Sequence, residues 1–345
     1  MIWLTWRQAR TQTLVVAGLV AAFAVVLLAT GPHLVSLYRA STFAACHTGC
    51  RAAAQNFLSS PQVSTSYHLI YLLGDALIVA LPAVIGLFWG APLIARELET
   101  GTYRLAWNQT VTRERWLAVK LGVLGLTSMA TAGLLSLILG WWGSPIDHAA
   151  AIQGATGFQD RFAPVVFGTR GIAPIGYAAF AFTVGVLVGL LIRRTVPAMG
   201  ITLAVIAVVQ IAFPLAIRPH LLSPVRSVSA VTAANLQGLS ASGNSQQIEN
   251  LMVTTPSAPG AWVISSQITT ASGSTSLGAV PSSCQQAGGP QACFTALAQR
   301  HYKSVVTYQP ASRYWTFQWL EFGIYLTVAL LVAWACFWAI RRRLS

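Results

Sequence analysis

The sequence predicts an all-α polytopic membrane protein with six transmembrane helices. Three observations support this fold class: an apolar composition, six long apolar stretches, and basic residues concentrated between them. Of the 345 residues, 55% are hydrophobic and only 8% are charged. Because soluble domains carry about 25% charged residues, this composition already indicates a chain that lies largely in a membrane.

The apolar stretches are long enough to span a bilayer. A helix needs about 20 apolar residues to cross a hydrocarbon core about 30 Å thick. Six stretches meet this requirement: Leu14 to Thr30, Leu69 to Ile94, Leu117 to Trp142, Ile172 to Ile192, Val196 to Ile217, and Leu320 to Ile340.

The basic residues predict the orientation of these helices. Short cytoplasmic segments are enriched in Lys and Arg, whereas long loops contribute little to this rule. With both termini inside, the short inner segments hold 12 of the 21 basic residues: Arg7, Arg10, Arg96, Arg104, Arg113, Arg115, Lys120, Arg193, Arg194 and Arg341 to Arg343. The net charge of +13 is therefore explained by membrane flanks and lipid headgroups, and we expect no nucleic-acid partner.

Polar composition divides the chain into three predicted parts. Residues 1–217 form a membrane domain, residues 218–318 a large extracytoplasmic segment between the fifth and sixth helices, and residues 319–345 the last helix with its basic tail. Before the first span, Ile2, Trp3, Trp6 and Ala9 share one face of an amphipathic helix that would lie in the membrane interface. The alternative is a simple anchor whose tryptophans lie at headgroup level. We expect no cleaved signal peptide, because the first apolar run is long.

The longest charged segment between inner helix ends runs from Ala95 to Lys120, with the sequence ARELETGTYRLAWNQTVTRERWLAVK. Its glutamate-rich turn before Gly-Thr, its Arg-Leu-Ala-Trp run and its Thr-Arg-x-Arg-Trp motif resemble the permease subunits of type-2 ATP-binding-cassette (ABC) exporters. Met1 to Gln8 resembles the amphipathic first helix of that family. Tyr308 to Trp319 resembles the outer approach to the last helix in some bacterial members.

This resemblance implies that residues 95–116 form a cytoplasmic coupling loop that contacts a separate ATPase. Gly101 would allow a tight turn, and Thr102 would cap the following helix. Glu97 and Glu99 would project toward the ATPase, where complementary charge fixes docking. We include Arg104 among these candidate residues for coupling to the ATPase. The alternative is an ordinary solvated loop between two helices.

The resemblance also implies the partners. These are an ABC ATPase subunit, a second permease copy or homologue, and the lipids of a bacterial plasma membrane. A nucleotide-binding P-loop needs a Gly-Lys pair, but the two lysines, Lys120 and Lys303, follow Val119 and Tyr302. We therefore expect no cofactor in this chain and no enzymatic activity of its own, with ATP and Mg²⁺ bound by the partner. No sequence pattern indicates a metal site.

Three polar residues inside or beside the predicted helices are candidates for a translocation path or gate. Asp75 lies well inside the second span, where a carboxylate costs about 2.5 to 3.5 kcal/mol on insertion scales. It would either line the path or form an interhelical hydrogen bond, for example to Gln210. Glu321 begins the last span, where an interfacial position is expected, although the resemblance makes it a candidate for an outer gate.

Four of the five cysteines, Cys46, Cys50, Cys284 and Cys293, fall on the predicted outer side, where disulfides persist. Local pairs Cys46–Cys50 and Cys284–Cys293 are the simplest of three connectivities. Free thiols and a metal site at Cys46, His47 and Cys50 are the alternatives.

Two pairs of glycines four residues apart lie in the second and fourth spans: Gly86 with Gly90, and Gly185 with Gly189. This spacing lets a neighbouring backbone approach closely, so we predict helix packing at both sites.

Taken together, the sequence predicts the permease subunit of an ATP-driven exporter that moves a hydrophobic or amphipathic substrate outward. The alternative from another class is a membrane-anchored sensor or assembly factor that works through residues 218–318. An intramembrane enzyme would need two polar catalytic residues at one depth, and only Asp75 meets that condition.

Overall fold

The computed structural model divides the chain into two compact units. The first contains residues 1–150, 155–221 and 315–345, and the second contains residues 151–154 and 222–314. The structure describes residues 2–101, 112–152, 157–232, 236–241, 248–253, 260–270, 273–274 and 289–343.

Helices form most of the described chain. In order they are α1 Ile2–Ala40, α2 Arg51–Leu58, α3 His68–Val84, α4 Ala91–Thr100, α5 Arg113–Ala150, α6 Pro164–Thr169, α7 Ala173–Ile192, α8 Thr195–Ala212, α9 Gly289–Ala298 and α10 Tyr314–Arg343. A π-helical segment, Phe213–Ile217, extends α8. Another, Ile85–Gly90, joins α3 to α4, so that α3 and α4 form one continuous helical stretch.

The prediction of six membrane-spanning helices is confirmed for the described residues. The helical stretches that are long and apolar enough are Ala17–Ala40, Val63–Thr100, Arg113–Ala150, Ala173–Ile192, Thr195–His220 and Ala311–Arg342. Several are longer than predicted, because the helices continue beyond their apolar portions. The backbone of α1 runs without a break from Ile2, so the predicted amphipathic segment continues directly into the first span.

The all-α prediction is too narrow, because the second unit contains strands. These are β1 Val225–Ala230, β2 Leu236–Ala241, β3 Ile248–Val253, β4 Trp262–Thr269 and β5 Lys303–Gln309. An antiparallel sheet has the order β1-β5-β4, and β2 pairs with β3 in a separate antiparallel ribbon.

In the first unit, the helix packing predicted at the two pairs of glycines is confirmed, and the structure places the two pairs against each other. We call Gly86, Gly90, Gly185 and Gly189 the glycine seam. A Cβ atom added to Gly185 would lie 2.6 Å from the carbonyl oxygen of Gly86 and 2.9 Å from the Cα atom of Gly90. Real Cβ atoms do not approach backbone this closely, so α7 and the α3–α4 stretch touch through their main chains.

We expect Gly185→Ala to destabilise the helical unit by about 1 to 3 kcal/mol, because the new methyl group meets backbone atoms that cannot rotate away. The measurement is the thermal unfolding midpoint of the purified protein in detergent. Gly200→Ala on α8 is the matched control, since no atom lies within 4 Å of its added Cβ. Equal midpoints for the two variants would contradict the close packing of the glycine seam.

Candidate coupling and transport site

The first residues of the charged segment, Ala95 to Thr100, form the last part of α4. Gly101 has a φ of 75°, a left-handed conformation that glycine adopts at low cost and that commonly ends helices. The backbone therefore turns at the residue where the sequence predicts a tight turn. Thr102 and Arg104 lie outside the described residues.

Glu97 forms an ion pair with Lys120 near the start of α5. Lys120 Nζ lies 2.5 Å from Glu97 Oε1, and the lysine side chain is only 3% exposed. The ammonium group also lies 4.4 Å from the ring centroid of Trp116. The expectation that the Glu97 carboxylate projects away from the chain is thus wrong, because the buried amine of Lys120 needs a counter-charge.

Glu99 contacts the first residue of α8. Its Oε2 accepts hydrogen bonds from the backbone N–H of Thr195, at 3.1 Å, and from the Thr195 hydroxyl, at 2.7 Å. A carboxylate at a helix N-terminus satisfies an unpaired N–H and complements the helix dipole. Glu99 thus also contacts a helix of its own chain, while the residue itself stays exposed. The last turn of α4 is consequently linked to both α5 and α8.

A second group of charges surrounds Asp75. Its Oδ1 accepts hydrogen bonds from the Thr169 hydroxyl, at 2.8 Å, and from Arg170 Nη1, at 2.6 Å. Arg170 Nε contacts Asp147 Oδ2 at 3.1 Å, and the Tyr71 hydroxyl donates to Asp147 Oδ1 at 2.7 Å. The predicted partner Gln210 is therefore wrong for Asp75. Instead, Gln210 donates to the carbonyl oxygen of Val79.

Arg170 holds this group together. Burial alone would lower its pKa, but the charges of Asp147 and Asp75 outweigh burial and raise the pKa above its ordinary value. Gly143 makes room for the guanidinium, since a Cβ there would lie 3.1 Å from Nη2. The guanidinium also lies 4.9 Å from the ring centroid of Tyr71.

A third buried group contains Glu321. Arg218 binds its carboxylate in a bidentate manner, with Nε at 2.9 Å from Oε2 and Nη2 at 3.0 Å from Oε1. The Tyr177 hydroxyl also donates to Oε1. The guanidinium of Arg218 lies 4.1 Å from the ring centroid of Phe167. Glu321 is only 1% exposed, so its carboxylate is buried among protein side chains, and its interfacial depth in the membrane stays a prediction.

Gln318, one turn before Glu321 on α10, fixes the corner between α6 and α7. Its Oε1 accepts from the backbone N–H groups of Ile172 and Ala173, at 3.1 and 2.9 Å. Its Nε2 donates to the carbonyl oxygen of Phe167. Gly171 has a φ of 69° in this corner and brings the backbone close to the amide. The corner is therefore anchored to the same helix that carries Glu321.

An apolar cavity of about 420 Å³ lies beside the Arg218–Glu321 pair. Its lining residues come from α3, α6, α7, α8 with its extension, and α10. They are Val79, Pro164, Val165, Gly168, Tyr177, Ala207, Gln210, Ile211, Pro214, Leu215, Arg218, Glu321 and Tyr325. Two of the three gate candidates, Gln210 and Glu321, thus meet at one cavity, whereas Asp75 is not among its lining residues.

The sequence interpretation missed Arg170 and Arg218, because both lie in segments that read as polar loops. One signal could have found them. Each buried acid of a membrane helix needs a cation at its own depth, and both arginines directly flank predicted spans. If each acid is paired with an arginine at a helix end on the same side of the membrane, the sequence suggests Asp75 with Arg170 and Glu321 with Arg218.

The predicted disulfide between Cys46 and Cys50 is confirmed, with a Cα–Cα distance of 5.7 Å. Cys293 is also disulfide-bonded, and Cys284 lies outside the described residues. Within the described ranges, no group of three or more His, Cys, Asp or Glu side chains is arranged to hold a metal ion.

Six apolar helices with internally paired charges define a multi-pass membrane protein. A comparison with protein families identifies its kind, because the model described as "ABC-2 membrane transporter related" matches residues 17–218. The chain belongs to this family. Comparisons with curated proteins and with solved structures gave no match. Membership indicates a permease component of an ABC transporter, the kind of subunit that works with an ATPase subunit.

Proposed function

We propose that this chain couples ATP hydrolysis on a separate ATPase subunit to the outward movement of a hydrophobic or amphipathic substrate. The observation that carries the proposal is the pair of links at the end of α4. Glu97 binds Lys120 of α5, and Glu99 binds Thr195 of α8. Both carboxylates lie directly before Gly101, within the charged segment that resembles a coupling loop.

These links provide a path for mechanical force. A push by the ATPase on residues 95–116 would move the end of α4, and the two carboxylates would transmit this displacement to α5 and α8. Because α8 lines the apolar cavity through Ala207 and Ile211, a shift of α8 would change the shape of that cavity. Coupling of this kind needs an element with two arrangements that ATP binding biases.

The orientation is part of the proposal, with both termini and residues 95–116 inside and residues 218–318 outside. The density of basic residues supports it. The Cys46–Cys50 disulfide supports it as well, because disulfides persist in oxidising compartments and this turn follows the first span. We place the protein in a bacterial plasma membrane, paired with a second permease copy or homologue and surrounded by lipids.

The lining of the cavity supports the proposed substrate class, because its walls are mainly apolar and its charged residues, Arg218 and Glu321, neutralise each other. We assign Gln210 and Glu321 to the substrate path and Asp75 to the support of its walls. ATP and Mg²⁺ would bind to the partner, and this chain would carry no cofactor.

The experiment that tests coupling compares Glu97→Gln with the wild type in a complex with the co-expressed ATPase. Loss of the Glu97 charge leaves Lys120 buried without a counter-ion and breaks the link to α5. We expect ATPase turnover that depends on the permease to fall by about fivefold or more, the usual size of a coupling between sites. Co-purification of the two subunits should persist, because the carboxylate faces this chain.

Arg39→Gln is the control, since Arg39 is exposed and lies outside residues 95–116. Exposed charges contribute little, so turnover should stay near the wild-type value. Equal losses in both variants would contradict the link through Glu97. If the wild-type chain retains no ATPase in mild detergent, the transport proposal fails, and a sensor or assembly role for residues 218–318 becomes the better explanation.

A further inference from the structure

The Arg218–Glu321 pair leaves one donor group unused. Both carboxylate oxygens of Glu321 accept hydrogen bonds, from Arg218 and from Tyr177. Arg218 Nη1, by contrast, is buried and has no hydrogen-bond partner among the described residues. Arg218 as a whole is only 1% exposed, and it lines the apolar cavity. An unpaired buried N–H is costly, and in native proteins such a group usually meets a ligand or water.

The chemistry of the pair limits what can bind there. Arg218 and Glu321 carry opposite charges, so the pair is neutral as a whole. An anionic ligand would add an uncompensated negative charge beside Glu321 in a region of low dielectric, which is unfavourable. An uncharged oxygen acceptor, such as an ester carbonyl, would satisfy Nη1 without adding charge. The remaining lining residues are mainly apolar and fit hydrocarbon.

The position of the cavity agrees with this chemistry. Arg218 lies near the end of the candidate span Thr195–His220, and Glu321 directly follows Leu320, where the apolar stretch of the last span begins. Both residues are therefore close to one boundary of the hydrocarbon core, where the ester groups of lipids also lie. Ile211 and Leu215 line the cavity and are 63% and 65% exposed, so the cavity borders an apolar surface of the unit.

We propose that this cavity binds an uncharged acyl ester, with the ester carbonyl accepting a hydrogen bond from Arg218 Nη1 and the acyl chain lying against the walls formed by α8 and α6. A cavity of about 420 Å³ is within the usual size of ligand sites. The ligand could come from the surrounding membrane or be the transported cargo. The site does not depend on the proposed transport function, because binding is measured without the ATPase.

The test uses radiolabelled 1-palmitoylglycerol as the probe. The full chain is reconstituted in nanodiscs of ether-linked phosphatidylcholine, whose lipids lack ester carbonyls and do not compete for Arg218. We expect saturable binding of one probe per chain. The ether analogue 1-O-hexadecylglycerol should bind about tenfold more weakly, because it lacks the carbonyl that accepts from a charged donor. Palmitate above its pKa should also bind more weakly than the ester.

Two variants locate the site. Ile211→Trp introduces a bulky ring into the lining and should weaken ester binding by about tenfold. Val208→Trp is the matched control, because Val208 lies on the same helix, is 64% exposed and is not among the lining residues. Arg218→Lys keeps the positive charge beside Glu321 but replaces the planar guanidinium with a single nitrogen, which cannot bind Glu321 and also place a donor at the position of Nη1. It should therefore abolish the preference for ester over ether.

Several outcomes would overturn the proposal: no saturable binding, equal affinities for ester and ether, or equal effects of the two tryptophan variants. A loss of dimers by light scattering for Ile211→Trp alone would also overturn it, since a second copy of the chain would then cover the cavity. When the ATPase and ATP are added, release of the probe identifies the ester as cargo, and retention identifies it as a resident lipid. Both of these results require that the probe binds in this cavity.

Discussion

Arg170→Met is expected to destabilise the helical unit by about 3 to 5 kcal/mol, the usual cost of removing one partner from a buried ion pair. The variant leaves two carboxylates, Asp75 and Asp147, without their shared cation. The midpoint of thermal unfolding in detergent measures this loss. Arg39→Met is the control, because Arg39 is exposed, and it should unfold near the wild-type midpoint.

A combined variant separates the loss of the charge pair from the loss of packing. Arg170→Met together with Asp75→Leu and Asp147→Asn removes all three charges, and apolar replacements of buried pairs are often neutral. We therefore expect it to recover most of the stability that Arg170→Met loses. If the combined variant is as unstable as Arg170→Met alone, the cost comes from the packing of the arginine against Tyr71 and not from unpaired charge.

Glu321→Leu should have a loss of similar size, about 3 to 5 kcal/mol, because it leaves Arg218 buried without its counter-ion. Arg218→Met should lose a similar amount, since it leaves the carboxylate unpaired. The double variant should be clearly more stable than the sum of the single losses predicts, since the two residues share one interaction. Unfolding midpoints of all four proteins complete the double-mutant cycle.

Glu114→Gln serves as the control for this cycle. Its ion pair with Arg341 is exposed, and exposed pairs contribute about 0 to 1 kcal/mol. Additive losses in the Arg218 and Glu321 cycle would show that the two side chains do not stabilise each other in the membrane.

The six spans could be predicted from the sequence because membrane crossing depends on local hydrophobicity, which a window of 20 residues contains. Helix packing at each pair of glycines could be predicted for a related reason, since Gly86 and Gly90 lie on one face of one helix. That the two pairs contact each other was not predicted. The charge pairs could not be assigned in this way. Asp75 and Arg170 are 95 positions apart, and Glu321 and Arg218 are 103 apart, so their pairing depends on how the helices assemble.

The charged segment likewise has some features that the sequence predicts and others that depend on how the helices assemble. The sequence located the segment and the turn at Gly101, because both depend on local composition and backbone preference. It did not reveal that Glu97 and Glu99 contact other helices of the chain, since this depends on the rotation of α4 about its axis. The strands were missed because residues 225–309 are rich in serine, threonine and glutamine and lack strong apolar alternation.

The glycine seam has a consequence for how the helical unit behaves outside its native bilayer. Glycine has no side-chain rotamers, so packing these glycines against each other costs no side-chain conformational entropy. In hydrocarbon there is no hydrophobic force between helices, and close main-chain packing relies on dispersion, which requires no surrounding water. We therefore expect α7 and the α3–α4 stretch to stay associated during solubilisation, while helices joined by larger side chains loosen first.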